Sequence, residues 1–292
     1  MMENKGINVL SLFDGMSCGQ IALDRIGIKV HNYYASEIEK KSMQVTMFNY
    51  PNTIQLGSVV DIKGEQLPEI DLLIGGSPCQ DISNLNKFKE GLDGSKSSLF
   101  YQYWRMWQET KPKYFLLENV AGNKSAIASI TKLMGVRPIK ICSSWVCAQT
   151  RMRYYWTNIP VNTLPKKTNT RLTDILQEDV DEKYFLKDGR LKWLLGSSGQ
   201  RSLNKRFVGI DTDLAGCITK RSEGSWNCTY VTQNNRLRTL TPIEYERLQT
   251  VPDNYTACVD DKFRYEMLGN GWTVDIICHI LKHIPSGLAI EK

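Results

Sequence analysis

The sequence predicts an α/β fold, a doubly wound, mostly parallel sheet with a smaller irregular domain. Three observations carry that expectation. Strand-like runs alternate with helix-spaced segments through the first half; the chemically reactive runs there sit just after strands; and beyond residue 157 regular alternation gives way to a basic, turn-rich stretch. Strands and helices in alternation imply right-handed crossovers between parallel neighbours.

Taken in order, residues 7–13 form an apolar run suited to a buried strand, and residues 18–26 follow with helical spacing. Further strand-like runs occupy 30–36, 53–59, 71–74, 113–118 and 139–146, with helical segments at 38–48, 99–109 and 126–134. Between 158 and 238 only short strand-like pieces stand out, at 184–186, 206–210 and 229–232. Thr241-Pro242-Ile243-Glu244 then opens a helix, with Thr241 as N-cap, Pro242 at the first helical position and Glu244 completing a capping box. Residues 272–284 read as a last helix. The expected divisions are 1–157, 158–238 and 239–292, the last returning to the core.

At 292 residues, 41% hydrophobic and 23% charged, the composition is that of an ordinary globular protein. The polar N-terminus leads straight into a strand, so no signal peptide is expected, and no apolar stretch approaches membrane-spanning length. Eight cysteines without paired spacings argue for reduced thiols in a cytoplasmic compartment, and they and the three histidines form no metal-ligand pattern. A net charge of +6 is compatible with a polyanionic partner.

In a parallel sheet, ligands gather at the carboxyl ends of strands beside the topological switch point. Phe13-Asp14-Gly15-Met16 follows the first strand, Glu37 the second and Ser77-Pro78-Cys79 the fourth, and Glu118-Asn119-Val120 ends the fifth. All four should therefore meet at one edge. The loop Asp14 to Gly19 lacks both the full dinucleotide fingerprint and a phosphate-loop lysine. A turn of backbone donors beside an acid able to hold a ribose suits an adenosine carrier without a pyrophosphate, and S-adenosylmethionine fits. Glu37 also reads as an acid at a helix N-terminus. Cys79, on the turn Gly75-Gly76-Ser77-Pro78-Cys79-Gln80, is either a small buried hydrophobe or a nucleophile held on a rigid glycine–proline turn. A thiolate, a carboxylic acid (Glu118) and guanidinium groups from Gln149-Thr150-Arg151-Met152-Arg153 together meet the demands of activating carbon 5 of cytosine. Separately, Glu118 could be a buried cap and Arg151 and Arg153 part of a solvated basic strand.

The ordered series SLFDGM, SEIE, GGSPCQ, ENV, QTRMR, RTLTPIEYERLQ and GNGWTVD resembles the DNA cytosine-5 methyltransferase family from residue 9 to about 275. The run from Arg153 to Pro160 and the tryptophan of Gly269-Asn270-Gly271-Trp272 are most similar to the branch containing the mammalian de novo enzymes. The resemblance implies an S-adenosylmethionine-dependent methyltransferase fold and double-stranded DNA as substrate. It also implies S-adenosylhomocysteine as product, no metal, and a prokaryotic or phage-encoded, cytoplasmic enzyme of restriction–modification type, monomeric or homodimeric. Cys79 would be the nucleophile, Glu118 the partner of ring nitrogen 3, Arg153 the holder of the base oxygen and Arg151 its support. Phe13, Asp14, Gly15, Glu37, Ser58, Val59, Pro78, Leu99, Asn270 and Trp272 would bind the cofactor, and Ser77, Gln80, Asn119 and Gln149 the substrate. Residues 1–157 would be the catalytic and cofactor-binding core and 158–238 the target-recognition region.

One position departs from the family pattern. Where an acid usually follows the glycine after the third strand, Gly57 is followed by Ser58 and Val59, so either Ser58 or the later Asp61 would meet the adenine. The cost of flipping a cytosine, roughly a few kcal/mol, would be met by contacts from among Lys166, Lys167, Arg171, Arg201, Lys205, Arg206, Lys220, Arg221, Arg236 and Arg238, with some of these simply solvated. Residues 80–98 would close over the base. Two rivals remain: a tRNA cytosine-5 methyltransferase, faintly suggested by Gly216-Cys217-Ile218-Thr219-Lys220, and a non-catalytic DNA-binding subunit of the same fold.

Overall fold

A computed structural model describes residues 6–77, 99–120, 124–196, 209–220 and 228–285. The chain divides into two compact units, one comprising residues 1–141, 152–164 and 276–292, the other 142–151 and 165–275. Each is built differently.

The first unit holds a seven-stranded sheet. Its strands are β1 (Ile7–Leu12), β2 (Val30–Ser36), β3 (Ile54–Gln55), β4 (Leu72–Gly76), β5 (Tyr114–Val120), β6 (Ile139–Cys142) and β7 (Met152–Thr157), in the order β3-β2-β1-β4-β5-β7-β6. Neighbours from β3 through to β5 run parallel, and β5 pairs antiparallel with β7. The order reverses between β1 and β4, which makes the carboxyl ends of those two strands the crevice where such sheets bind ligands. Helices α1 (Cys18–Arg25), α2 (Lys40–Asn49), α3 (Leu99–Thr110) and α4 (Lys124–Met134) complete the crossovers. Leu10, Leu12, Leu73, Phe100, Tyr103, Met106, Leu117, Ile130 and Trp156 lie in one buried cluster. Gly75 is essential to that closeness: a Cβ there would stand 2.9 Å from the Leu12 carbonyl oxygen and 3.0 Å from the Tyr103 ring.

Two strands depart from expectation. The run 53–59 yields only Ile54–Gln55, because Gly57 turns the chain at φ +72° and the Thr53 hydroxyl is committed to the Tyr50 carbonyl. The strand β7, read as a basic cluster, is a full sheet member whose Tyr155 and Trp156 are buried.

In the second unit, β8 (Gly209–Ile210), β9 (Thr229–Gln233) and β10 (Arg236–Thr239) form a small sheet, β9 and β10 joined by Asn234 and Asn235, both at positive φ as a tight primed hairpin turn requires. Leu194 of α5 (Asp188–Leu195) packs with Cys228 and Tyr230 beneath it. Helices α6 (Pro242–Leu248) and α7 (Asp261–Asn270) also belong to this unit, and the first unit resumes at Ile276, within α8 (Val274–Leu281). The Thr241–Glu244 capping box forms as expected. Residues 184–186 make no strand; Tyr184 closes a short helical turn and Phe185 forms a single bridge to Arg238.

Arg238, expected among the phosphate contacts, is instead completely buried. Its guanidinium forks onto Glu244, with Nη1 donating to Oε2 at 2.8 Å and Nη2 to Oε1 at 2.7 Å, while Gln233 accepts from Nε. Glu244 further accepts from the backbone N–H groups of Gln177 and Thr241. Arg236 is ion-paired with Glu182 and stacks 4.4 Å over Phe185. Lys166, Lys167 and Arg171 are exposed, and Lys220 reaches Glu266 at 3.8 Å; Arg201, Lys205, Arg206 and Arg221 lie outside the described residues.

Removing one partner of a buried, fully hydrogen-bonded pair leaves the other charge uncompensated, at about 3–5 kcal/mol. Arg238→Ala should therefore lower the urea-unfolding free energy by about that amount, whereas Lys166→Ala should change it by less than about 0.5 kcal/mol.

Candidate active site

The carboxyl ends of β4 and β5 are locked side by side. Gly76 pairs in register with Glu118, and Ser77 follows directly. Asn119, buried, donates from Nδ2 to the Ser77 hydroxyl at 2.9 Å and to its carbonyl at 3.2 Å, and accepts the Val120 N–H at 2.7 Å. The expected substrate residues Ser77 and Asn119 thus hold each other. Pro78, Cys79 and Gln80, and the rest of the 80–98 segment, lie outside the described residues.

Glu118 sits opposite Tyr155 on antiparallel β7, and Arg153 is the diagonal neighbour two residues away. Long side chains reach across such diagonals, and Arg153 Nε meets Glu118 Oε1 at 2.9 Å with both side chains only about a tenth exposed. Arg153 also donates to the Met152 carbonyl at 2.8 Å. A semi-buried pair of this kind gives little net stability over an apolar replacement. At the carboxyl end of β5 it sets a donor fork and an acceptor at the level of Gly76 and Ser77.

Gln149 and Arg151 precede β7 and belong to the second unit. The Gln149 amide donates to the Leu248 carbonyl and accepts from the Ile218 N–H. Arg151 is buried and donates to the carbonyls of Ile218 (2.7 Å), Gly269 (3.2 Å) and Gly271 (2.9 Å). Both side chains knit backbone segments together. Asn270 and Trp272 lie in the stretch so gripped, Asn270 exposed and Trp272 half-buried.

The expected cofactor loop follows β1. Phe13, Gly15 and Ser17 all have left-handed backbones, at φ 57°, 59° and 62°. Two of the three are not glycine, and residues held there cost of order 1 kcal/mol or more each, a strain that clusters at functional sites. Gly15 donates its N–H to Glu37 Oε2 at 2.7 Å, and Glu37 Oε1 accepts from Ile38 (2.7 Å) and Glu39 (2.9 Å) at the head of α2. Glu37 therefore ties the first loop to the second. A carboxylate has about four acceptor positions, so a ribose would use the one left or displace one of these donors. Asp14 is partly buried and accepts from Tyr33 Oη at 2.8 Å and from the Ser17 hydroxyl. Burial pushes the Asp14 carboxyl up to about 6, and the charge of Glu37 adds to the rise, against hydrogen bonds from Ser11, Ser17 and Tyr33.

Past β3, Ser58 is half-buried, its hydroxyl accepting the Val60 N–H at 3.3 Å, while Asp61 is exposed and its own N–H returns to the Ser58 carbonyl. Val59 is buried, and Leu99 packs against the main cluster together with Phe13. Sequence reasoning missed Arg105 on α3, whose guanidinium holds the carbonyls of Val59 (2.8 Å) and Ile62 (2.9 Å) and so supports this turn. It also missed Tyr33 and Ser17, visible only as polar groups on otherwise buried faces. A Cβ built on Gly15 or Gly57 meets nothing within 4 Å, so open space lies beside both loops. Together with two carboxylates, that space fits an adenosine ligand bearing a cationic end. Among the described residues no group of His, Cys, Asp and Glu could hold a metal ion, and no helix is long and apolar enough to cross a membrane.

The family described as C-5 cytosine-specific DNA methylase matches residues 7–129 and 145–286. The type II methyltransferase M1.ScrFI of Lactococcus lactis subsp. cremoris is 26% identical over 97% of this chain and 79% of its own length. The type II methyltransferase M.DsaV of Dactylococcopsis salina is also 26% identical, over 100% of this chain and 89% of its own. Among solved structures, the Entamoeba histolytica methyltransferase EhMeth superposes with a TM-score of 0.73 at 17% identity, covering 98% of this chain and 99% of that one. The S. pombe Dnmt2 methyltransferase gives 0.71 at 16% identity, covering 94% and 97%.

Lysine has the charge of arginine but not its planar fork. Arg151→Lys should therefore lose at least two of the three carbonyl contacts and destabilise the protein by about 1–3 kcal/mol, read as a lower midpoint in urea.

Proposed function

The chain belongs to the C-5 cytosine-specific DNA methylase family, and from that premise we propose how its residues divide the reaction. The enzyme is a DNA cytosine methyltransferase, and the tRNA reading is not favoured by the family match or by the two relatives above, both named type II methyltransferases. The observation that carries the assignment of roles is the Glu118–Arg153 pair at the carboxyl end of β5, beside the end of β4, where Ser77 precedes Cys79 by two residues.

Cytosine carbon 5 is a poor nucleophile until carbon 6 is saturated. In our reading the Cys79 thiolate bonds to carbon 6 of an extruded cytosine while the Glu118 carboxyl shares a proton with ring nitrogen 3, so that the added electron pair collects at carbon 5. Arg153 donates to the ring oxygen, and its bond to Glu118 fixes both side chains against the base edge. When bound, S-adenosylmethionine supplies an electrophilic methyl group on a sulfonium. Loss of the carbon-5 proton and departure of the Cys79 sulfur then restore the aromatic ring and the free thiolate.

Phe13, Gly15, Glu37, Ser58, Val59 and Leu99 are assigned to the cofactor, supported by the open space at Gly15 and Gly57. Ser58 replaces the family's acid at the adenine as a neutral partner, and Asp61 is exposed. Pro78 and Gln80 keep their assigned roles on sequence grounds, as do Asn270 and Trp272. Gln149 and Arg151 act as positioning residues through the backbone they grip. The DNA is double-stranded, and residues 158–238 supply its recognition.

Bisulfite sequencing of plasmid DNA from cells expressing the chain tests this reading. Wild type should protect cytosines in one sequence context, Cys79→Ser should protect none, and Glu118→Gln should slow methylation by about a hundredfold or more, the range of a lost general acid. Protection by Cys79→Ser at the wild-type level would falsify the covalent route.

A further inference from the structure

Between β3 and β4 the backbone leaves the sheet, so the carbonyls of its first turn must find partners outside the strand ladder. One fastener stands on each side of Ser58. Ahead of it, the buried Ser36 hydroxyl at the end of β2 donates to the Gly57 carbonyl at 2.8 Å. Behind it, Arg105 of α3 spans the turn, with Nη2 donating to the Val59 carbonyl at 2.8 Å and Nη1 to that of Ile62 at 2.9 Å.

Arg105 is itself aimed. Its Nε donates to Gln102 at 2.8 Å, one helical turn back, and its Nη1 to both oxygens of Glu109 at 2.9 and 3.0 Å, one turn on. Glu109 also accepts the Gly64 N–H at 2.7 Å, so one face of α3 grips the chain at residues 59, 62 and 64. The approach is close: a Cβ on Gly64 would stand 2.5 Å from the Glu109 Cβ. The side chains of Val59 and Ile62 are buried in the main cluster with Phe100, Tyr103 and Met106 of α3. Such apolar contacts fix how deep the turn sits, but they do not fix the rotation of its peptide planes. Hydrogen bonds from a planar guanidinium do.

That rotation bears on Ser58. The peptide unit between Val59 and Val60 is a rigid plane whose C=O and N–H point in opposite directions. Its oxygen is held by Arg105, and its N–H donates to the Ser58 hydroxyl at 3.3 Å. Turning the plane breaks both bonds together. We infer that Arg105 is a positioning residue for the adenine end of the methyl donor, acting through this peptide on the Ser58 hydroxyl. The inference rests on the assignment of Ser58 and Val59 to the cofactor. Without Arg105 the turn samples other orientations, and affinity falls by the fraction of molecules in which the plane is correctly set. A bound donor restores that fraction, so the loss belongs to donor affinity and not to turnover.

Titration calorimetry with S-adenosylhomocysteine tests this on protein shown to be folded by circular dichroism, together with steady-state kinetics on plasmid DNA. Arg105→Gln should bind about tenfold or more weakly than wild type and raise KM for S-adenosylmethionine similarly, with kcat and KM for DNA within about twofold. Arg105→Lys, which offers a point charge in place of the fork, should fall between. Ser58→Ala should weaken binding by wild type but add little in the Arg105→Gln background, because coupled residues are not additive. A folded Arg105→Gln protein with unchanged donor affinity and only a lower midpoint in urea overturns the inference while cofactor use stands. So does a loss that falls on kcat instead. Should Arg105→Gln not fold, Arg105→Lys binding as wild type does overturns it equally. Failure of wild type to bind S-adenosylhomocysteine overturns both this and the cofactor assignment.

Discussion

One constraint organises the catalytic side of this molecule: the register that sets Glu118 beside Gly76 and diagonal to Arg153. Parallel pairing of β4 with β5 brings two strand ends to the same level, and antiparallel β7 delivers a guanidinium to that level from the opposite direction. Because side chains alternate with period two, a slip of one residue in either pairing would turn Glu118 or Arg153 to the other face. The Asn119–Ser77 bonds pin the first pairing where the sheet hydrogen bonds run out. Gly75 permits the approach of Tyr103 and Leu12 that packs the strand end from below.

The loop after β1 solves a different problem. It must expose backbone next to open space while keeping residues such as Phe13 and Ser17 in a backbone conformation they disfavour. Glu37 and Asp14 do this from two sides, one by accepting backbone N–H groups and the other by gathering hydroxyls.

Much of the first unit was legible because its chemistry is local. Glycine, proline and short apolar runs mark where parallel strands end, and Phe13, Glu37, Ser77 and Glu118 all stand at those ends as read. The strand β7 was hidden by Arg153 and the neighbouring Arg151, although Tyr154-Tyr155-Trp156-Thr157 carries the aromatic enrichment of a strand and could have revealed it. The role of Arg238 was not legible, since a basic residue in a basic stretch gives no sign that Glu244, six residues on, will meet it in a buried fork. Nor was the division of Gln149-Thr150-Arg151-Met152-Arg153 between the two units, because that depends on which backbone carbonyls lie nearby rather than on the residues themselves. Tyr33 and Ser17 escaped for the same reason: a hydroxyl on a buried face declares that it has a partner, not which one.

The claim on which the account turns is a sulfur–carbon bond between Cys79 and carbon 6 of a cytosine steadied by Glu118. Fluorine at carbon 5 cannot leave as a proton does, so the methylated adduct on such a base cannot collapse. A duplex carrying 5-fluorocytosine in the methylated context, incubated with the enzyme and S-adenosylmethionine, should give a protein–DNA complex that survives denaturation with wild type and none with Cys79→Ala. An enzyme that methylates the ordinary duplex yet forms no such complex with the fluorinated one would contradict the account.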